Sequence, residues 1–197
     1  MSQDSTTPMK RTTPARILAL VGLGGGLIIL GVLALAYLLW SEAGASSVPG
    51  GYESAVPLAV DYPAPKLSLV DLDGQTVSLA DYAGQVVLVN NWATWCPPCR
   101  AEMPILERYY QDHRKQNFAV IGIESGSSAE TVAYEVEQSQ LTFPIWLDPK
   151  IKAVAAFNNR SLPNSYVIDG DGRVRLAWTG PISRSMLEQY VTPLLEK

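Results

Sequence analysis

The chain has 197 residues, of which 47% are hydrophobic, and this is enough apolar material for one domain with a substantial core. Residues 1–40 hold three basic residues and one acidic residue, whereas the remainder holds twelve basic and eighteen acidic residues. Phosphate contacts need clustered Lys and Arg side chains, so the acidic character of the larger part excludes nucleic acid as an expected partner.

An uncharged apolar segment occupies residues 17–40. A helix needs about 20 apolar residues to cross a hydrocarbon core of roughly 30 Å, so this segment is long enough to be a transmembrane anchor. The basic residues before it favour the cytoplasmic side of the membrane. The pattern predicts a cytoplasmic tail over residues 1–16, a single-pass anchor in the cell membrane over 17–40, and an extracytoplasmic location for the rest.

Two other interpretations of this segment stay open. A cleaved signal peptide would use the small residues around Ala43 and Ala45 as its cleavage site, although the apolar stretch of such a peptide has only about 7–15 residues. A helix buried in a soluble domain is the other alternative, and the apolar circumference of the segment argues against it. The mature N-terminus distinguishes them, since cleavage after Ala45 would leave a chain that begins at Ser46.

Residues 41–62 are rich in Gly, Ser, Ala and Pro and have no apolar period. This composition predicts a flexible tether that leads to a folded domain over residues 63–197. At the start of that domain, apolar and polar residues alternate on both sides of Asp73-Gly74, which predicts a β-hairpin. Its inward face would be Leu67, Leu69, Val77 and Leu79.

Strand and helix patterns alternate through the rest of the domain. Apolar runs with β-branched residues predict strands over 85–93, 118–125, 144–148, 165–169 and 173–180. Helical patterns lie at about 97–116, 128–139, 150–157 and 183–197. This alternation predicts an α/β fold in which helices flank a mixed central sheet.

The two cysteines of the chain, Cys96 and Cys99, lie in the segment WATWCPPCR, where a predicted strand ends and a predicted helix begins. The first turn of a helix tolerates proline, so Pro97 and Pro98 fit there. Free N–H groups and the helix dipole stabilise an anion at this place, and we expect the pKa of Cys96 to be lowered. Cys99 would lie one turn deeper, able to form a disulfide with Cys96 and shielded from attack. This layout suits thiol–disulfide exchange.

Two other uses of the cysteine pair are alternatives to redox exchange. A zinc site needs four ligands, and the only further soft ligand is His113, so no metal is expected. A structural disulfide that closes so short a loop would restrain little unfolded-state entropy. His113 itself has no evident partner and is predicted to be a solvated residue near the end of its helix.

The segment VLVNNWATWCPPCRAEMP resembles the active-site segment of the thioredoxin-like superfamily. More narrowly, it resembles the membrane-anchored TlpA/ResA type of thiol–disulfide oxidoreductase, which is related to the redoxin (AhpC/TSA) proteins. The resemblance covers about residues 63–197 and implies a thioredoxin-like fold with an N-terminal β-hairpin and a central insertion. It also implies that Pro163 is a cis-proline facing the disulfide, so that Leu162 docks an extended substrate beside Cys96.

The resemblance further assigns a role to Glu102, which follows Cys99 by three residues on the same helical face. In the family the matching glutamate lies beneath the cysteines and assists proton transfer. A partly buried carboxylate has a raised pKa and would accept the proton of Cys99, whereas the alternative is an ordinary surface carboxylate. Asn90 stands where thioredoxins carry an aspartate, which leaves Glu102 as the nearest expected base.

Substrate docking is expected at four residues: Trp95, Pro97, Leu162 and Pro163. Of the two tryptophans near the cysteines, Trp92 is predicted to lie in the core and Trp95 to be exposed beside Cys96. Asn91 departs from the aromatic residue that is usual in the family, and Asn164 departs from the common threonine. Both departures concern the shape of the substrate groove.

The resemblance implies a bacterial extracytoplasmic oxidoreductase that reduces client disulfides and needs no cofactor beyond the Cys96–Cys99 pair. Its implied partners are clients such as apocytochrome c or a copper-site protein, and a CcdA/DsbD-like membrane protein as thiol electron donor. One rival is a peroxidase of the same fold, which needs Thr or Ser and Pro where this chain has Ala93 and Val89. The other is a copper-binding assembly factor. Such a protein needs a wider cysteine spacing and a downstream histidine, and no histidine follows His113 in this chain.

Overall fold

The structure is a computed structural model that describes residues 31–35 and 47–196. Residues 31–35 are helical and fall inside the predicted anchor, whose remaining residues lie outside the described ranges, as do the predicted tail and the small residues at 43–45. Within the described ranges, no helix is long and apolar enough to cross a membrane. The anchor over residues 17–40 therefore stays a prediction.

Residues 47–196 contain ten strands and five α-helices. The strands are β1 (Ser47–Val48), β2 (Tyr52–Glu53), β3 (Leu58–Pro63), β4 (Ser68–Asp71), β5 (Thr76–Ser78), β6 (Val86–Trp92), β7 (Phe118–Ser125), β8 (Ile145–Asp148), β9 (Asn164–Ile168) and β10 (Arg173–Thr179). The helices are α1 (Pro97–His113), α2 (Ala129–Gln138), α3 (Lys152–Phe157), α4 (Arg184–Tyr190) and α5 (Thr192–Leu195), and a 3₁₀ turn covers Leu79–Tyr82.

Eight strands form one mixed sheet in the order β3-β10-β9-β6-β7-β8-β4-β5. The central strands β6, β7 and β8 are parallel, and the strands on either side of them are antiparallel. All eight residues of β7 are buried, which explains its continuous apolar run, because a strand covered on both faces has no polar alternation. The predicted mixed sheet is confirmed.

The N-terminal hairpin is also confirmed. Leu69 on β4 pairs with Val77 on β5 across a turn in which Gly74 has a φ of 76°, a conformation that glycine adopts without strain. Leu67 and Leu69 are buried, and Val77 and Leu79 pack against the same apolar cluster. β4 then extends the central sheet by pairing with β8.

The flexible tether predicted over residues 41–62 is wrong from residue 47 onward. β1 and β2 form a small antiparallel pair, and β3 joins the edge of the main sheet beside β10. The side chains of β3 are almost all exposed, so the strand is held by backbone pairing and by ion pairs of Asp61 with Arg173 and Arg175. Such a strand leaves no apolar period in the sequence, and the folded unit begins earlier than residue 63.

The core consists of two apolar clusters that cover the two faces of the sheet. Leu88 belongs to one cluster and its neighbours Val87 and Val89 to the other, as alternation along β6 requires. α1 packs on the first cluster through Met103 and Leu106, both fully buried. This packing holds α1 against one face of the sheet.

Two helical predictions need correction. His113 is buried rather than solvated, because it stacks on the Tyr109 ring at 4.1 Å and places its Nδ1 atom 2.9 Å from the Tyr109 carbonyl oxygen. The helix predicted over 183–197 is two helices, α4 and α5, separated at Val191. Pro193 lies in the first turn of α5, where its missing N–H group is tolerated, and it could not sit inside a continuous helix without loss of a hydrogen bond.

Candidate redox site

Cys96 and Cys99 form a disulfide, with their Cα atoms 5.3 Å apart. Cys96 is the N-cap residue of α1, and prolines fill the first turn, as predicted. The Cys96 N–H donates to the Ala93 carbonyl over 3.1 Å, and the Arg100 N–H donates to the Cys96 carbonyl over 3.1 Å. The turn that carries Cys96 is therefore held from both sides.

Cys99 is buried, in line with the shielded position predicted for it, but Cys96 is more buried than the sequence indicated. Cys96 is 5% exposed and Cys99 is 0% exposed, and both belong to the apolar cluster beneath α1. Cys96, the attacking residue in the predicted layout, is therefore largely covered. The exposed neighbour is Trp95, at 68%, while Trp92 is fully buried, so the assignment of the two tryptophans is confirmed.

The two prolines limit the hydrogen bonds that a Cys96 thiolate would receive. Pro97 and Pro98 have no N–H group, so the Cys99 N–H is the only free backbone donor at the first three positions of α1. In the disulfide form the Cys96 side chain accepts no capping bond. After reduction, a thiolate at Cys96 would depend on that single amide and on the helix dipole.

Glu102 is fully buried on α1, one turn after Cys99. Its Oε1 atom accepts a hydrogen bond from Asn90 Nδ2 over 2.7 Å, and its Oε2 atom accepts one from the Ile182 N–H over 2.9 Å. Burial raises the pKa of Glu102 to about 8, against the opposing effect of these two hydrogen bonds. Such a carboxyl group both accepts and releases a proton near neutral pH. Because Glu102 is fully buried, the alternative of an ordinary surface carboxylate is excluded.

Asn90 and Asn91 are adjacent on β6, so their side chains lie on opposite faces of the sheet. Asn90 Nδ2 bonds to Ser165 Oγ over 2.9 Å as well as to Glu102. Asn91 Nδ2 donates to Asn164 Oδ1 over 2.7 Å, and Asn164 Nδ2 donates to the Ser161 carbonyl oxygen. One asparagine therefore supports the buried carboxyl group, and the other ties β6 to the predicted docking loop.

The docking loop has the expected conformation. The Leu162–Pro163 peptide bond is cis, and the Gly180 N–H donates to the Pro163 carbonyl over 2.9 Å. Leu162 and Trp95 line the same groove, so two of the four predicted docking residues come together there. Pro97 is exposed at the start of α1 and Pro163 is buried, and neither lines that groove.

No sequence pattern led us to assign a role to Glu124, which is fully buried near the end of β7. Its carboxylate accepts hydrogen bonds from the Thr94 N–H over 3.3 Å, the Ser127 N–H over 3.1 Å and Ser127 Oγ over 2.6 Å. These bonds tie the turn before Cys96 to the loop before α2. The available signal was an acidic residue inside the otherwise apolar run FAVIGIES.

A mixed sheet, a cysteine pair at the start of a helix and a proline loop beside it define a thioredoxin-like redox protein. Residues 60–177 match the model of the AhpC/TSA family. The chain belongs to this family, and within it to the ResA/TlpA type of thioredoxin-like protein. The resemblance read from the cysteine segment is confirmed.

The chain is similar to several thiol–disulfide oxidoreductases. It is 34% identical over 134 residues to ResA of Geobacillus kaustophilus, which covers 68% of this chain and 77% of that protein. ResA of Bacillus subtilis is 27% identical, with 84% of this chain and 88% of the relative covered. A solved thiol:disulfide interchange protein of Chlorobium tepidum superposes with a TM-score of 0.63 at 30% identity, covering 70% of this chain and 99% of that one. The chain is accordingly a thiol–disulfide oxidoreductase.

Proposed function

We propose that the protein is a membrane-anchored reductase of client disulfides that works outside the cytoplasm. The observation that carries the proposal is the buried Glu102, which lies one helical turn from Cys99. Its pKa of about 8 makes it a suitable proton acceptor for the Cys99 thiol. Reduction of a client needs Cys99 to lose its proton before it attacks, and a carboxylate with this pKa matches that task at neutral pH.

The proposed cycle begins with the reduced pair. The Cys96 thiolate attacks one sulfur of the client disulfide, so that the client's other sulfur leaves as a thiolate and a mixed disulfide forms. Cys99 then transfers its proton to Glu102 and attacks Cys96 Sγ. The Cys96–Cys99 disulfide forms, the second client sulfur leaves, and two electrons have passed from the pair to the client.

The first turn of α1 favours the reducing direction. A strong disulfide oxidant owes its high reduction potential to a well-stabilised reduced form. Here Pro97 and Pro98 withhold two of the N–H groups that would stabilise a Cys96 thiolate. We therefore expect the reduction potential to lie near the reducing end of the range for this fold, at about −230 mV or lower.

The cellular setting is part of the same proposal. The anchor rests on the uncharged segment over residues 17–40 and the basic residues before it. Clients such as apocytochrome c or a copper-site protein, and a CcdA/DsbD-like donor that re-reduces the pair, rest on the resemblance to the TlpA/ResA type. The pair itself is proposed to be the only redox group, with no further cofactor.

The two rivals gain no support from the site. A peroxidase of this fold needs a hydroxyl group three residues before its nucleophile, and Ala93 is fully buried and apolar there, as is Val89 four residues earlier. For the copper factor, residues 31–35 and 47–196 contain no group of three or more His, Cys, Asp or Glu side chains that could hold a metal ion.

Single-cysteine variants test the proposal. Cys96→Ser is expected to abolish reduction of insulin disulfides, whereas Cys99→Ser still attacks and accumulates mixed disulfides that gel electrophoresis without reductant detects. Equilibration of the wild-type pair with glutathione measures the potential. An active Cys96→Ser protein would overturn the mechanism, and a potential near −120 mV would overturn the reducing direction.

A further inference from the structure

A groove of about 770 Å³ opens beside Trp95, the residue that precedes the attacking cysteine. Its lining comes from the turn before α1, the start of α3 and the docking loop. A client that reaches Cys96 along the backbone of Leu162 therefore passes this groove. Because Cys96 itself is only 5% exposed, the groove offers a client more surface than the sulfur does.

The groove presents large apolar side chains to solvent. Trp95 is 68% exposed and Ile151 is 52% exposed, and Val154 and Leu162 contribute further apolar surface. Exposed aromatic and aliphatic side chains that line one concave surface are characteristic of a binding site, since tryptophan in particular is enriched among residues that dominate binding energy.

Ile151 has an unfavourable backbone conformation. Its φ is 48° and its ψ is 37°, the left-handed region that β-branched residues rarely adopt. Asp148 holds it there, because the Ile151 N–H donates to the Asp148 carbonyl and the buried Asp148 carboxylate accepts the Lys152 and Ala153 N–H groups over 2.8 and 2.7 Å. Glycine or asparagine would fit this backbone better, so an exposed isoleucine here points to a use for its side chain.

The charge of the groove is opposite to that of the domain. Its two charged lining residues are Lys150 and Arg160, and no carboxylate lines it. Neither cation takes part in an ion pair with any described residue. The chain beyond residue 40 is acidic overall, so an unneutralised basic edge beside the redox site is a local feature that would attract a carboxylate.

We propose that the groove binds an extended client segment that carries an apolar side chain and an acidic side chain next to its reacting cysteine. The apolar side chain lies against Trp95 and Ile151, and the carboxylate pairs with Lys150 and Arg160. This inference rests on the proposed function, because it assumes that Cys96 attacks client disulfides. Exposed charges of this kind mainly increase the rate of productive encounter and the choice between clients.

Disulfide-bridged peptides test the groove. The full-length protein is reduced in detergent and mixed with peptides that carry Leu-Glu, Leu-Gln or Leu-Lys beside one cysteine, and the loss of peptide disulfide is followed by chromatography. We expect the Leu-Glu peptide to react about tenfold faster than the Leu-Lys peptide at low salt, with the ratio falling at about 0.5 M salt. A small uncharged disulfide, 2-hydroxyethyl disulfide, reports the exchange chemistry without the groove.

Two charge-reversed double variants, one inside the groove and one outside it as a matched control, test the role of the basic residues. Lys150→Glu combined with Arg160→Glu is expected to remove or invert the preference for the acidic peptide. Arg108→Glu combined with Lys115→Glu makes the same change of net charge at exposed positions that do not line the groove, and is expected to keep the preference. The Arg108 and Lys115 variant should reduce 2-hydroxyethyl disulfide as fast as the wild type does, and the peptide rates of each variant are divided by its own rate with this small disulfide.

Ile151→Gly tests the apolar part, and it relieves the backbone instead of straining it. Its melting temperature is expected to equal or exceed that of the wild type, while the advantage of the Leu-Glu peptide over a Gly-Glu peptide falls. Equal rates for all peptides, with 2-hydroxyethyl disulfide still reduced, would overturn the groove and leave the proposed function standing. Failure to reduce any disulfide would overturn both.

Discussion

Glu102 and Glu124 are both fully buried glutamates that support the redox turn, yet their surroundings differ. Glu124 accepts three hydrogen bonds from two loop residues, Thr94 and Ser127, which bracket the turn before Cys96. Glu102 accepts two, one from Asn90 and one from the Ile182 backbone, and burial raises its pKa to about 8.

The difference teaches how one residue type serves two tasks at one site. Hydrogen bonds to Glu124 join two loops that are distant in sequence, so its carboxylate holds the turn before Cys96 in place. Hydrogen bonds to Glu102 are too few to offset its burial, so its carboxyl group holds a proton that it can exchange. Both glutamates are buried, but the hydrogen bonds of Glu124 join two loops, whereas those of Glu102 come from a neighbouring strand and from the Ile182 backbone.

The largest expected effect is on the pH dependence of stability. The pKa of Glu102 is about 8 in the folded protein and 4.5 in the unfolded chain, so its contribution is complete below pH 4.5 and is lost as the pH rises through about 8. The loss is at most about 5 kcal/mol. Urea unfolding of the oxidised protein at pH 5 and pH 9 measures it, and Glu102→Gln should flatten the dependence. A wild-type profile no steeper than that of the variant would contradict the difference between the two glutamates.

Removal of the Glu124 carboxylate is expected to destabilise the fold. Glu124→Ala leaves the partly buried N–H groups of Thr94 and Ser127 without their acceptor, at a cost of about 3 kcal/mol in the free energy of unfolding. Glu124→Gln is the matched control, because its amide oxygen still accepts one of these bonds and should limit the loss to about 1 kcal/mol. Equal stability of the alanine variant and the wild type would show that the loops do not need this carboxylate.

Glu102→Gln should slow the attack of Cys99 by about 100-fold at pH 8. Stopped-flow measurement of mixed-disulfide resolution between pH 6 and pH 10 should show the wild-type rate rising with an inflection near 8, since deprotonated Glu102 is the acceptor. The variant should lack that inflection. Glu124→Gln should keep it, and an inflection lost in both variants would mean that the two carboxylates do not differ in function.

The smallest effect is expected from Asn90→Ala. The hydrogen bond from Asn90 opposes the rise in the pKa of Glu102, so its loss should move the inflection of the resolution rate to higher pH. The same stopped-flow series measures the shift. An inflection that moves to lower pH would contradict the stated role of the Asn90 amide.

The sequence predicted the parts of the site that depend on local chemistry. Two prolines between the cysteines, after an apolar strand and before a helical pattern, fit the first turn of a helix, so the sequence predicts the position of Cys96 and Cys99. Glu102 was placed on the correct face because helical spacing relates it to Cys99. The cis conformation before Pro163 was expected through resemblance, since X-Pro sequences do not by themselves determine the isomer.

Other features could not be predicted because they depend on partners distant in the chain. β3 has exposed side chains and is held by β10, more than 110 residues later, so no local pattern indicated it. Glu124 accepts a hydrogen bond from the N–H group of Thr94, which lies thirty residues earlier in the chain. His113 is buried by the packing of α1 on the start of β7, which its polar neighbours in sequence gave no reason to expect.

The most direct test of the central claim is an NMR titration of the Glu102 carboxyl carbon. The claim is that this buried carboxyl group takes the proton of Cys99. Isotope labelling of glutamate, with Glu102→Gln used to assign the signal, would follow ionisation in the oxidised protein. The account predicts a midpoint near pH 8. A midpoint near 4.5 would contradict it, because the carboxylate would then be too weak a base to take the proton of Cys99 near neutral pH.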